Sequence, residues 1–222
     1  QQTVLGGMMK RFETLLLTTM AMAMMAGQAH AGDRNQTQGQ NPNSVFMRVF
    51  GQTLPPIGHV GFCRRHPSEC RAQRIGRKRV PLTADRINEL QSVNSIVNRM
   101  VKPVTDLKLY GRLEHWTYPS KYGDCEDYVI LKRRLLIDRG WPASALLITV
   151  VRDENNEGHA ILTARTASGD FILDNKRSDI MSWKDSAYVF VKRQSYTNPK
   201  LWMSLASGRD RAAPRVSGTR RR

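Results

Sequence analysis

Cys125 stands in the run Gly123-Asp124-Cys125-Glu126-Asp127-Tyr128, with acids on both sides. Beyond it the chain reads Tyr-Val-Ile-Leu-Lys-Arg-Arg-Leu-Leu-Ile-Asp-Arg-Gly, which puts Tyr128, Leu131 and Leu135 on one stripe and Gly140 as a stop. The pattern predicts a helix with Asp124 as its N-cap and Asp127 three residues on. A thiol in the first turn of a helix feels the positive end of the dipole, which favours thiolate, the nucleophilic form. A half-buried structural cysteine among ordinary capping acids is the competing reading of these six residues.

A base and its orienting acid follow downstream. Ala145–Val151 reads as a buried strand, Asp153–Gly158 as a polar turn, and His159–Thr166 as a second strand. Ala167-Ser168-Gly169 is a tight turn and Asp170–Asp174 a third strand. If Thr166 faces Gly169, His159 and Asp174 are diagonal neighbours, and a shift of two residues sets them directly opposite. Because side chains alternate with period two, both registers keep the pair on one face. A carboxylate there orients the imidazole and stabilises imidazolium. A strand-edge histidine and a turn-starting Asp174-Asn175 are the plain readings of each residue taken alone.

The strings Gly-Asp-Cys-Glu-Asp-Tyr, Gly-His-Ala-Ile-Leu and Phe-Ile-Leu-Asp-Asn, in this order, resemble the bacterial transglutaminase-like cysteine proteinase family over roughly residues 82–204. The resemblance implies an α+β papain/transglutaminase-like fold, in which the cysteine-bearing helix packs on an antiparallel sheet carrying His and Asp. It implies a triad of Cys125, His159 and Asp174, and a periplasmic protease that releases a large surface adhesin. It further implies calcium dependence and an inner-membrane regulatory receptor as partner. Release of the acyl-enzyme by an amine, giving transamidation, is the alternative outcome. A non-catalytic calcium- or polyanion-binding envelope protein is the alternative from another class.

The acids have their own logic. Carboxylates beside a thiol raise its pKa and oppose the dipole. A bound Ca²⁺ would neutralise Asp124, Glu126 and Asp127, since hard cations choose clustered carboxylates. By the resemblance, Asp124 and Glu126 carry over as ligands, Asp127 less closely. Simple helix capping is the other reading, and no EF-hand pattern is present.

Several elements must position this chemistry. Thr83 caps a predicted helix with Ile87, Leu90, Asn94, Val97 and Val101 on one stripe. Asn94 interrupts the apolar face, either as a hydrogen-bonded core amide or as an oxyanion-hole donor beside the Cys125 backbone N–H. Gln91 and Asn98 lie on neighbouring faces, and the family resemblance includes paired asparagines such as Asn94 and Asn98. Trp116-Thr117-Tyr118-Pro119 reads as a loop wall of the cleft.

Upstream, Met8-Met9-Lys10-Arg11, the apolar run 15–26 and Ala29-His30-Ala31 read as a cleaved secretory leader over 1–31, with 1–7 an upstream extension. A polar and basic segment, 32–81, is expected before a catalytic domain at 82–204, with a basic tail over 205–222. In an oxidising periplasm Cys63 and Cys70 pair around a proline turn and leave Cys125 free. Such a small loop stabilises by about 2 kcal/mol. A zinc site from Cys63, His66 and Cys70 competes, without a convincing fourth ligand, since His59 precedes Cys63 by only four residues. The formal charge of +16 favours acidic partners such as protein, lipid or polysaccharide. Lys132-Arg133-Arg134 reads as a solvated helix face. No nucleic-acid motif is found, and a secretory leader argues against nucleic acid as partner.

Overall fold

The computed structural model describes residues 40–41, 43–72 and 79–207, which fall within the unit Thr37–Arg222. The expected leader, positions 73–78 of the polar and basic segment, and the tail from 208 onward lie outside the described residues. No helix among the described residues is long and apolar enough to cross a membrane.

In chain order the elements are β1 (Gln52–Thr53), α1 (Ile57–Arg65), α2 (Ala84–Met100), β2 (Lys102–Pro103), α3 (Asp106–Tyr110), β3 (Tyr122–Gly123) and α4 (Cys125–Asp138). They continue as β4 (Leu146–Arg152), β5 (Gly158–Thr166), β6 (Gly169–Leu173), β7 (Met181–Ser182), β8 (Val189–Gln194) and β9 (Trp202–Ser204). Seven strands form one sheet in the order β1-β9-β8-β4-β5-β6-β7, antiparallel throughout. A short parallel pair, β2 and β3, stands apart. This is the expected α+β architecture, with the cysteine helix on an antiparallel sheet that carries His and Asp.

Strand alternation divides the core. Ala160, Leu162 and Ala164 pack with Leu90, Val93 and Val97 of α2 and with Tyr128, Val129 and Leu136 of α4. Ile161 and Ile172 join a second cluster with Met47, Trp183, Tyr188, Phe190 and Leu205. The predicted stripe of α2 holds for Leu90, Asn94, Val97 and Val101, whereas Ile87 is exposed at 40%.

Three expectations shift. Residues ahead of 82 belong to the same sheet: β1 pairs with β9, and Val80 bridges to Thr166. Leu205 is buried and its amide bonds to Val191 O, so it is core rather than tail. Lys132 and Arg133 are buried, so of the basic run on α4 only Arg134 faces solvent as expected. Arg133 donates to Leu146 O at 3.1 Å and approaches Glu69 at 3.6 Å.

Cys63 and Cys70 form a disulfide and Cys125 is the free cysteine. The zinc alternative through His66 is not realised, because both sulfurs are bonded to each other and the histidine lying against Cys63 is His59, at 3.5 Å. The disulfide joins α1 to the turn Pro67–Cys70, whose Glu69 holds Arg134 of α4 at 2.9 Å. Gly58 of α1 is needed for close approach, since a Cβ there would lie 2.3 Å from the Trp116 ring.

Candidate active site

The first turn of α4 is built as its sequence dictates. Asp124 is the N-cap, its Oδ1 accepting from the Cys125 amide at 2.8 Å, and with Asp127 it completes a capping box. Asp127 accepts from Thr117 N at 2.8 Å and from Asp124 N at 3.3 Å. Asp127 therefore ties the Trp116–Thr117 loop to the helix start, and both its oxygens are committed to backbone amides. Asp127 stands outside the cluster formed by the ligand atoms of Asp124, Cys125 and Glu126.

The thiol meets two environments. On one side the Ala160 amide, next to His159 on β5, hydrogen-bonds the sulfur and lowers the thiol pKa. On the other the thiol donates to Glu126 Oε2 at 3.3 Å, rather than to His159. Burial, then the charges of Glu126 and Asp124, push the thiol well above its usual range. Burial first, and the carboxylates second, thus keep the thiol protonated despite its place at a helix start. Burial also pushes Glu126 up to about 9 and Asp127 up to about 7, with neighbouring acids adding to both.

His159 and Asp174 come together as the register predicts. Thr166 pairs with Gly169 and Leu162 with Leu173, the first of the two alternatives, which leaves the pair diagonal. His159 Nε2 lies 2.8 Å from Asp174 Oδ1, with both residues buried. With Nε2 committed to the carboxylate, Nδ1 is the nitrogen left to exchange a proton. Burial pushes the Asp174 carboxyl up. The hydrogen bond and charge of His159, the Lys176 amide and the Tyr188 hydroxyl outweigh burial and hold it at about 2. Tyr188 was not singled out by the sequence, and no local motif marks it.

Asn94 is fully buried, and its amide donates to Arg177 O at 2.9 Å and Ser178 O at 3.0 Å. Both hydrogens are spent, so none is free for an oxyanion. The core-amide reading of this residue is the one the geometry meets.

Asp124, Cys125 and Glu126 place their ligand atoms within 4.8 Å of one another. Asp106 lies beside them: its amide donates to Asp124 Oδ2 at 3.3 Å and its Oδ2 accepts from His115 N. Its buried Oδ1 has no hydrogen-bond partner. Clustered hard oxygens, one of them orphaned, are a donor set that fits a hard cation.

The family profile for the bacterial transglutaminase-like cysteine proteinase matches residues 49–210. Solved structures of Legionella pneumophila LapG also match. The calcium-bound form has 27% identity over 55% of this chain and 70% of that chain, with a TM-score of 0.46. The EGTA-treated form has 27% identity over 52% and 66%, with a TM-score of 0.45. Among the curated proteins none matches. With its profile covering most of the chain, the protein belongs to the bacterial transglutaminase-like cysteine proteinase family and is a cysteine peptidase.

Proposed function

We propose that Cys125, His159 and Asp174 form the triad of a periplasmic protease acting on a protein substrate, a large surface adhesin by family resemblance. The observation that carries this reading is the His159–Asp174 hydrogen bond beside a free cysteine at a helix N-terminus. In the reaction the thiol turns from Glu126 to His159 Nδ1 and gives up its proton. The sulfur attacks the scissile carbonyl, and the C–N bond breaks as imidazolium returns the proton to the leaving amine. Asp174 keeps the ring oriented and stabilises imidazolium. Water, activated by His159, then releases the acid and restores the thiol.

Calcium is part of the proposal. Asp124 and Glu126 would hold it, with Asp106 the further carboxylate at hand. When bound, the ion supplies the positive charge that offsets the two acids holding the thiol protonated. The secretory leader expected over 1–31 supports the periplasmic assignment, and a regulatory receptor in the inner membrane is proposed from the resemblance alone.

The test is labelling of Cys125 with iodoacetamide at neutral pH, alongside hydrolysis of a candidate protein substrate. Fast labelling that needs His159, and hydrolysis that needs Cys125, support the triad. Substrate turnover by Cys125→Ala would sink it.

A further inference from the structure

Asp174 is the first residue beyond β6, so its carbonyl has left the sheet ladder, and the segment 175–180 continues without strand partners. Carbonyls in such a loop take donors from elsewhere in the fold or from water. One stripe of α2 supplies them. Asn98 Nδ2 donates to Asp174 O at 2.9 Å and to Arg177 O at 2.8 Å. Asn94 Nδ2 serves Arg177 O and Ser178 O, and Gln91 Nε2 serves Ser178 O at 2.7 Å. Gln91 Oε1 in turn accepts from Ile180 N at 3.2 Å. Positions 91, 94 and 98 follow helical spacing, so three amides line up along one loop.

The two asparagines work as donors only. Asn94 Oδ1 and Asn98 Oδ1 are buried without partners. Turning either amide over would set oxygen against carbonyl oxygen, so the orientation is fixed. The loop then acts on the carboxylate directly, because the Lys176 amide donates to Asp174 Oδ1 at 3.0 Å, the oxygen that His159 uses.

We propose that Asn98, with Asn94 and Gln91 behind it, is a positioning residue for the proposed triad: the amide stripe of α2 clamps the loop after Asp174 and so sets the carboxylate against His159. This rests on the triad reading above. It gives the polar interruption of the α2 face a role in holding the acid rather than in stabilising an oxyanion.

The experiment uses the full protein with its Cys63–Cys70 disulfide intact. Asn98 is half-buried, so water can replace its hydrogen bonds in Asn98→Ala. Asn98→Leu, which keeps about the same size and removes the donors without adding charge, is the second variant, and melting curves check folding of both. Two readouts are taken: the iodoacetamide labelling rate of Cys125 at pH 7, and the titration of His159 by NMR, its resonance identified by its absence in His159→Gln. We expect labelling to slow by about tenfold, a fraction of the 10²–10⁴ typical of a whole acid–base group. We expect the His159 pKa to fall, since imidazolium loses its aligned carboxylate. In an Asp174→Ala background Asn98→Ala should change neither readout. An unchanged His159 titration in both Asn98 variants, with a lowered one in Asp174→Ala, overturns the positioning role and leaves the triad standing. An equal effect of Asn98→Ala in both backgrounds overturns it too. No effect of Asp174→Ala on His159 removes Asp174 from the triad and this role with it.

Discussion

The Tyr188 hydroxyl donates to Asp174 Oδ2 at 2.5 Å, while His159 holds Oδ1 of the same carboxylate at 2.8 Å. The rings of Tyr188 and His159 meet edge to face with centroids 5.8 Å apart. The acid is therefore held from two sides. Its partner phenol is pushed above the usual tyrosine range by burial and by Asp174. Tyr188→Phe removes one of these bonds and keeps the ring. We expect it to cost about 1–2 kcal/mol of stability and to slow Cys125 labelling less than Asp174→Ala does. A variant as slow as Asp174→Ala would mean that the phenol does more than hold the acid.

Cys125→Ala, His159→Ala and Asp174→Ala should each cripple hydrolysis and leave the melting temperature near that of the wild type. Their effects should not add, since the residues act as a unit. Kinetics of the Cys125→Ala, His159→Ala double variant against each single variant checks this.

Calcium should raise the melting temperature and the labelling rate together. A ligand bound only by the native state at a hundredfold excess over Kd stabilises by about 2.7 kcal/mol. Glu126→Gln keeps the size and removes the charge, so calorimetric titration of metal-free Glu126→Gln should show weakened Ca²⁺ binding. Asp124→Ala should remove the calcium response and also cost about 1 kcal/mol as a lost cap. No heat and no melting shift in the wild type would leave these acids as caps.

His59 ties stability to pH. Burial, with the Arg133 charge adding, holds its pKa down at about 4. Its nitrogens sit 3.0 Å from Gln194 Nε2 and 3.3 Å from Trp202 Nε1. Between pH 6.5 and 4 the unfolded chain binds a proton here that the folded chain refuses. Stability is therefore present above pH 6.5 and lost as pH falls toward 4, by about 3 kcal/mol. Chemical denaturation across this window should show the slope in the wild type and a flatter one in His59→Gln.

Lys132 is a buried cost of the fold. It is fully buried, its Nζ has no hydrogen-bond partner, and burial lowers its pKa to about 7 against the raising charge of Asp174. From pH 10.5 down to 7 the unfolded state binds the extra proton, so stability falls as pH falls through that range. Lys132→Met should stabilise the protein by about 1–3 kcal/mol near pH 6 and by less near pH 10. Denaturant midpoints at the two pH values measure the difference.

The sequence determined what short-range geometry determines. The capping box places Cys125 in the first turn of α4 through bonds within three residues. The tight turn at Ala167–Ser168 fixes the β5–β6 register, and with it the meeting of His159 and Asp174. The Cys63–Cys70 spacing matches the disulfide that forms. Only the tertiary structure decided the rest, because the partners are far apart along the chain and leave no periodic trace. Nothing near Asn94 in sequence foretells that its amide serves Arg177 and Ser178. Nothing near Tyr188 foretells its bond to Asp174, or near Asp106 its place beside Asp124. Charge patterning read Lys132 and Arg133 as solvated, but α4 is enclosed on more sides than one amphipathic stripe implies. Hydrophobic period reports which face of an element is buried. Which buried polar group answers which is settled by how the elements stack.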